Sequence, residues 1–269
     1  MAHRFITFLT DFGLEDDFVG TCKGAMKRIA PDVEIIDVTH GIEPQSILQG
    51  ALVLAGTLPY MPAGVHLAVV DPKVGSERKA LALRGPDHVF VGPDNGLLLP
   101  AAERHGGIEE AVSIENPAYR LERVSKTFHG RDVFAPAAAH LALGVPLAEL
   151  GPSVDPAGLE RLDIPRPEVG DGKLRVKVLY VDRYGNVQVS ATADDLAAAG
   201  MEEGTRVELD LGFESYFATV AGTFADVRDG DILLYEDSYW NVALAINGGN
   251  AAETLAVRPG ADLRVRRAT

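Results

Sequence analysis

Short apolar runs alternate with longer amphipathic segments through the N-terminal part of the chain. The β-rich runs predict strands, and apolar positions spaced three or four residues apart predict helices between them. The predicted strands are Phe5–Leu9, Val33–Thr39, His66–Val70, Ala80–Leu83 and His88–Val91, and the predicted helices are Asp17–Ile29, Pro44–Ala55, Leu97–Glu103 and Ala137–Leu143. This alternation predicts an α/β fold, with a largely parallel sheet flanked by helices on both faces.

The hydrophobic period changes to two in the C-terminal part, after a segment rich in proline and glycine between Pro152 and Asp171. Alternating residues predict strands at Leu174–Asp182, Val187–Val189, Arg206–Leu211, Phe217–Val220, Ile232–Tyr235 and Leu263–Val265. Several short strands joined by turns predict a small antiparallel barrel or sandwich. We therefore expect an N-terminal α/β domain over residues 1–165 and a smaller β domain over residues 166–269, with no internal repeat.

The charge balance narrows the possible partners. The 269 residues carry a formal net charge of −14, which disfavours nucleic acids and anionic membranes and would not repel a cationic substrate. Cys22 is the only cysteine, no apolar run is long enough to span a bilayer, and the chain enters its first strand without a signal peptide. These features predict a cytoplasmic protein.

Charged side chains follow two of the predicted strands. Asp11 ends the first strand, and Asp71 ends the apolar run of residues 66–70, with Arg78 seven residues further on. Ligands of open α/β sheets bind beyond the carboxyl ends of the strands, so Asp71 and Arg78 can face each other across a binding cleft. The spacing is equally consistent with a surface ion pair that holds a loop in place.

His129 precedes Gly130 at a junction between a loop and a helix, a position that suits either a functional ring or packing. A divalent-metal site on Asp11, Asp71 and His129 is a further alternative. The sequence contains no GxGxxG after the first strand, no GxxxxGK[ST], no GxSxG, no HExxH and no paired CxxC. Nucleotide hydrolases of the P-loop class, serine hydrolases and zinc enzymes are therefore disfavoured.

Six short motifs occur together in one order: Thr10–Gly13, Cys22–Gly24, Asp71–Gly75, Gly92–Gly96, Phe128–Asp132 and Tyr184–Val187. In this combination the chain resembles the S-adenosyl-L-methionine (SAM) hydroxide adenosyltransferases, adenosine-forming SAM hydrolases related to the SAM-dependent fluorinase and chlorinase. The resemblance implies an N-terminal α/β domain, a C-terminal β-barrel, and SAM as substrate with no cofactor and no metal. It also implies a homotrimer with active sites at subunit interfaces.

The resemblance also assigns roles to individual residues. The family's catalytic triad corresponds to Asp71, Arg78 and His129. Ribose and substrate contacts correspond to Asp11 and Asp16, and the methionine end corresponds to Asp182 and Ser238. The remaining implied contacts, with adenine or near it, are Asn186, Phe224, Tyr184, Tyr239 and Asn247.

Four positions depart from the halogenating relatives, and at the first of them Asp71 stands where those enzymes carry a tyrosine. Val74 stands in place of the fluorinase's halide-binding threonine, Gln45 replaces a tryptophan near the halide pocket, and Tyr239 replaces an arginine on the methionine side. The predicted function is therefore hydrolysis of SAM to adenosine and L-methionine. A SAM-dependent halogenase and a non-catalytic sensor of SAM or adenosine are the alternatives, and a methyltransferase is disfavoured because the glycine-rich first loop is missing.

Overall fold

The computed structural model describes residues 2–212 and 214–268. The chain forms two compact units, of which the first ends at Leu162 and the second begins at Asp163. The sequence places the domain boundary near residue 165. No helix in the described part of the chain is long and apolar enough to cross a membrane.

The first unit is built on a six-stranded sheet. Its strands are β1 (Phe5–Thr10), β2 (Glu34–Thr39), β3 (Val65–Val69), β4 (Ala80–Arg84), β5 (Val89–Pro93) and β6 (Glu110–Ser113), in the order β2-β1-β3-β5-β4-β6. The first four strands in that order are parallel, whereas β4 is antiparallel to both β5 and β6. The parallel strands bring the ends of β1 and β3 to the same edge of the sheet, which is where Asp11 and Asp71 follow.

Helices cover both faces of this sheet, as the sequence predicts. They are α1 (Phe18–Ile29), α2 (Ile47–Thr57), α3 (Leu99–Arg104) and α4 (Ala135–Ala142). Alternate residues of β1 point to opposite faces, so Ile6 and Phe8 pack in the core under α1 and α4 while Leu9 packs under α2 and α3. The fold class expected from the hydrophobic pattern is confirmed.

Some element boundaries differ from those that the sequence predicts. Helix α2 begins at Ile47 instead of near Pro44, because Gln45 adopts a left-handed backbone conformation with φ of 66° that is incompatible with a helix. Strand β5 continues through Gly92 and Pro93, two residues beyond the predicted end at Val91. Strand β6 was not predicted.

The second unit is a closed β-barrel. Its elements are strands β7 (Glu168–Gly170), β8 (Lys173–Val181), β9 (Val187–Val189), β10 (Arg206–Asp210), β11 (Ser215–Val220), β12 (Ile232–Glu236), β13 (Val242–Ile246) and β14 (Asp262–Arg267), and helices α5 (Ala193–Ala198) and α6 (Ala251–Thr254). Pairing of β14 with β8 closes the ring, and β7 adds to it only at β8. The predicted barrel is confirmed, except that β11 and β12 pair in parallel.

Side chains alternate across the barrel wall. Val187 and Val189 of β9 and Leu244 of β13 pack in the barrel core. The residues between them, Gln188 and Ala243, point to the outer face, where they line a cavity. Strand β13 was not predicted, because its continuous apolar sequence lacks the alternation typical of a strand with one exposed face.

Candidate active site

Asp71, Arg78 and His129 form a connected group in the first unit. The Arg78 Nε lies 3.1 and 3.0 Å from the two Asp71 carboxylate oxygens, Oδ1 and Oδ2, and its Nη2 lies 2.5 Å from Oδ2. The same Nη2 lies 2.9 Å from the His129 Nδ1. Only 7% of the Arg78 side chain and 5% of the Asp71 side chain are exposed, so the alternative of a solvent-exposed surface ion pair is wrong.

The contact with Arg78 determines the protonation of His129. An arginine guanidinium can only donate hydrogen bonds, so Nδ1 of His129 must accept, and the proton of the neutral ring is on Nε2. Burial, followed by the positive charge of Arg78, lowers the pKa of His129, against the opposing effect of Asp71. At neutral pH the ring is therefore uncharged, with Nε2–H as its remaining hydrogen-bond donor.

The loop that carries Asp71 and Arg78 is fixed by backbone contacts. The Asn95 Nδ2 donates to the Val70 carbonyl at 2.9 Å, immediately before Asp71. Gly75 has a φ of +81°, and a Cβ at this position would lie 2.2 Å from the Lys126 carbonyl oxygen. Glycine is thus required where this loop approaches the segment that leads to His129.

His129 is placed by an unusual helix start. The residue immediately precedes a π-helix, Gly130–Phe134, that continues into α4. Such π-helical turns often occur at functional sites. Gly130 packs so closely that a Cβ would lie 2.9 Å from the ring of Phe12. The buried Asp132 accepts a hydrogen bond from the Ser125 backbone at 2.7 Å, which holds the preceding loop.

Asp11 begins the loop between β1 and α1, and Asp16 lies near the end of that loop. The Asp11 carboxylate accepts a hydrogen bond from the Gln45 backbone at 2.8 Å. Burial raises the pKa of Asp11 and the negative charge of Asp71 raises it further, against the backbone hydrogen bonds. The two carboxylates therefore interact electrostatically. Asp16 is exposed, one residue before the N-cap of α1.

Within residues 2–212 and 214–268, no group of three His, Cys, Asp or Glu side chains is arranged to hold a metal ion. The alternative metal site on Asp11, Asp71 and His129 therefore has no support from the geometry.

A cavity of about 700 Å³ lies against the outer wall of the barrel in the second unit. This volume is within the range of small-molecule sites. Its lining includes six of the seven residues that the sequence assigns to substrate binding in this part of the chain: Asp182, Tyr184, Asn186, Phe224, Ser238 and Tyr239. Asn247 is not part of the lining; its amide donates to the Val227 carbonyl at 3.1 Å and to the Asp229 carboxylate at 3.3 Å.

Two turns of the same construction border the cavity. In the first, the Asp182 Oδ1 accepts from the backbone nitrogens of Tyr184 and Asn186, at 2.8 and 2.9 Å. In the second, the Asp237 Oδ1 accepts from the corresponding nitrogens of Tyr239 and Asn241, also at 2.8 and 2.9 Å. The spacing Asp-x-Tyr-x-Asn thus occurs twice, and matching these five-residue segments would have identified Asp237 from the sequence.

The two aspartates differ in their second carboxylate oxygen. Asp182 Oδ2 accepts from the Asn186 Nδ2 at 2.7 Å, whereas Asn241 directs its Nδ2 to the Tyr239 carbonyl at 3.2 Å. Asp237 therefore keeps more of its acceptor capacity for a ligand. Among the residues described, none that lines this cavity is Lys, Arg or His.

The negative charges of Asp182 and Asp237 also affect the pKa values of two neighbouring tyrosines. Burial, followed by the charges of Asp237 and Asp182, raises the pKa of Tyr180 to about 12. Burial and the same two charges raise the pKa of Tyr235 to about 12. Both phenols remain protonated at neutral pH. The sequence interpretation missed these tyrosines and Gln188, all of which line the cavity.

Comparison with known proteins matches both units to domains of one family. The SAM hydroxide adenosyltransferase N-terminal domain matches residues 6–151, and the C-terminal domain of the same family matches residues 176–264. The (R)-S-adenosyl-L-methionine hydrolase of Salinispora arenicola is 49% identical over 97% of each chain. A fluorinase of Actinopolyspora mzabensis is 29% identical over 99% of this chain and 98% of its own.

A solved crystal structure has the same fold as this chain. The crystal structure of a conserved protein from Thermotoga maritima, 38% identical, superimposes with a TM-score of 0.91 over 97% of this chain and all of that one. The chain belongs to the SAM hydroxide adenosyltransferase family.

Proposed function

We propose that the protein hydrolyses SAM to adenosine and L-methionine. The observation that carries this proposal is the buried Arg78, which contacts the Asp71 carboxylate and the His129 ring at once. The hydrolase relative from Salinispora arenicola, at 49% identity, supports the same activity. In this reaction a water oxygen attacks the ribose 5′ carbon, and the bond between that carbon and the sulfonium sulfur breaks.

The difficult part of this reaction is the nucleophile. Methionine leaves as a neutral thioether, so the leaving group needs no proton. Water, in contrast, has a pKa of about 15.7 and is a poor nucleophile unless it is oriented and partly deprotonated. Positioned acid–base groups contribute about 10²–10⁴-fold, and alignment of the reacting atoms contributes roughly 7–11 kcal/mol.

The hydrogen bonds within the triad suggest a role for each member. Arg78 uses one acceptor site on Asp71 Oδ1 and two on Oδ2, which leaves a site on Oδ1 for the proton of the attacking water. His129 donates its Nε2–H to the water oxygen and cannot act as base through Nδ1, which Arg78 occupies. Asp71 thus accepts the proton as the carbon–oxygen bond forms, and then releases it to solvent.

The cavity of the second unit suits the charge of the substrate. SAM carries a positive sulfonium and a positive α-ammonium group, and Asp182 and Asp237 provide negative charge in the cavity lining. We assign the methionine end to Asp182, Ser238 and Asp237, and the adenine to Asn186 and Phe224. Tyr184, Tyr239 and Asn247 lie nearby in this assignment, and Asp11 and Asp16 hold the ribose.

The proposal extends to the assembly and its setting. We propose that no cofactor or metal is needed, that the protein is a cytoplasmic homotrimer, and that its active sites lie at subunit interfaces. Family resemblance supports the trimer, and the single cysteine, Cys22, is consistent with a reducing compartment. Light scattering should give a mass three times that of the 28.7 kDa chain.

The halogenase alternative is disfavoured by two side chains. Val74 offers no hydroxyl to a halide, and the Asp71 carboxylate would repel one. Incubation with SAM and excess chloride should therefore yield adenosine and no 5′-chloro-adenosine, as measured by chromatography.

The test of the proposed site is Asp71→Asn, which retains the shape of the side chain but removes its negative charge. We expect turnover to fall by at least about 10²-fold, while calorimetry still detects SAM binding. Wild-type turnover in this variant would refute the role of Asp71. Wild-type protein that binds SAM tightly and forms no adenosine over hours would instead identify a non-catalytic sensor.

A further inference from the structure

One buried polar side chain of the cavity has no part in the proposed reaction. Gln188 is at the centre of β9 and only 5% exposed. The strand register places it beside Tyr180 of β8 and Ala243 of β13, and all three residues line the cavity. Gln188 is thus part of the cavity floor, pointing away from the barrel core.

Within residues 2–212 and 214–268, no protein group forms a hydrogen bond with the Gln188 amide. The other buried glutamine, Gln49, is satisfied, because its Oε1 accepts from the Glu43 backbone at 2.9 Å. The amide nitrogen and oxygen of Gln188 are not fully buried but are accessible from the cavity, where a ligand can replace the water that hydrates them. Ala243 extends only a methyl group beside Gln188, which leaves space for such a ligand.

The chemistry of an amide restricts what this ligand group can be. Gln188 offers an acceptor and a donor side by side, whereas the carboxylates of Asp182 and Asp237 only accept. The amide of Asn186 already donates to Asp182 at 2.7 Å. A planar group with a ring-nitrogen acceptor next to an amino donor can form two hydrogen bonds with an unused glutamine amide, as adenine does.

Aromatic side chains in the same cavity support a planar ligand. Phe224 and Tyr235 both line it, with ring centroids 5.2 Å apart. We propose that Gln188 recognises the adenine base by accepting from its 6-amino group and donating to N7, and so determines the preference for adenine over hypoxanthine, in which both of these positions are acceptors. This inference rests on the proposed function, in that SAM and adenosine are the ligands of the cavity.

The test compares ligands that differ at this edge. Inosine carries an oxygen where adenosine carries the amino group, and L-methionine lacks the base entirely. Calorimetry on the intact protein would measure the affinity of each ligand for the wild type, for Gln188→Leu and for Gln188→Glu. Leucine removes both hydrogen bonds at similar volume, and glutamate retains acceptors but removes the donor.

The wild type should prefer adenosine over inosine, and Gln188→Leu should bind adenosine roughly 5–150-fold more weakly, with the preference close to one. Its affinity for L-methionine should be unchanged. Should Gln188→Leu fail to fold, Gln188→Glu still tests the inference, because loss of the donor should reduce the adenosine affinity about 5-fold or more.

Two results would overturn the inference alone: an unchanged preference for adenosine in both variants, or a loss of L-methionine affinity in place of adenosine affinity. Wild-type protein that binds neither SAM nor adenosine would overturn the proposed function itself. The two failures are thus distinguishable.

Discussion

Replacement of Arg78 by methionine tests whether the triad is a buried functional unit. Methionine retains much of the side-chain volume but leaves the Asp71 carboxylate, only 5% exposed, without its counterion. Removing one partner of a buried ion pair costs about 3–5 kcal/mol, whereas an exposed pair contributes about 0–1 kcal/mol. We therefore expect Arg78→Met to lower the free energy of unfolding by about 3–5 kcal/mol.

The double variant Asp71→Asn/Arg78→Met is the matched control, because it removes both charges together. Replacing both members of a buried pair is often nearly neutral. The double variant should therefore be more stable than Arg78→Met by at least about 2 kcal/mol, as urea denaturation followed by circular dichroism would measure. Both variants should lack turnover, so the inactivity of the stable double variant cannot result from unfolding.

Arg78→Lys completes this experiment. Lysine retains the charge but lacks the planar fork with which Arg78 contacts Asp71 and His129 simultaneously. This variant should retain more stability than Arg78→Met and still lose most of its turnover. A loss of stability below about 1 kcal/mol in Arg78→Met, together with retained turnover, would refute the reasoning and restore the interpretation of a loop-fixing ion pair.

Three further outcomes follow from the structure. Burial, followed by the charge of the neighbouring His88, lowers the pKa of His66 from its ordinary 6.5 to about 3. Between these values the unfolded chain binds one proton more at this residue, so His66 alone should make stability fall by about 1.4 kcal/mol per pH unit on acidification. Denaturation of His66→Asn should show a shallower dependence over this range, and equal slopes would contradict the assignment. Gly75→Ala should lower kcat and the melting temperature, because the alanine Cβ would lie 2.2 Å from the Lys126 carbonyl oxygen. Unchanged values of both would show that the loop of Gly75 does not need to approach Lys126 this closely. Asp237→Asn should weaken SAM binding by about 10-fold or more in calorimetry, because hydrogen bonds to charged groups contribute roughly 1.5–3 kcal/mol. Adenosine binding should be unchanged. An equal loss of affinity for both ligands would show that Asp237 does not bind the methionine end.

The sequence predicts the fold well because hydrophobic periodicity is a local signal. Period-two alternation identifies β8 and its turn into β9, and apolar spacing identifies α1 within one residue of its observed start. Strand β13 was not predicted because both of its faces are buried, one in the barrel core and one in the wall of the cavity. Its apolar run therefore shows no period.

The candidate site is harder to predict from the sequence than the fold is. Arg78 and His129 are 51 residues apart, and only the tertiary fold brings the guanidinium to the ring nitrogen. The π-helical turn after His129 has no recognised sequence signal. Gln188 appears as an ordinary residue of a short strand, and its significance depends on which face of the barrel wall is buried. The family resemblance points to Asp71, Arg78 and His129, but the proposal that Asp71 accepts the proton required their hydrogen bonds.

The central claim is that the protein uses water as the nucleophile at the ribose 5′ carbon. Turnover of SAM in water enriched in oxygen-18, followed by mass spectrometry of the nucleoside product, tests this claim most directly. The proposed reaction predicts one labelled oxygen per adenosine, located in the 5′ hydroxyl, with unlabelled L-methionine. Adenosine without the label, or a 5′-halogenated nucleoside in its place, would contradict it.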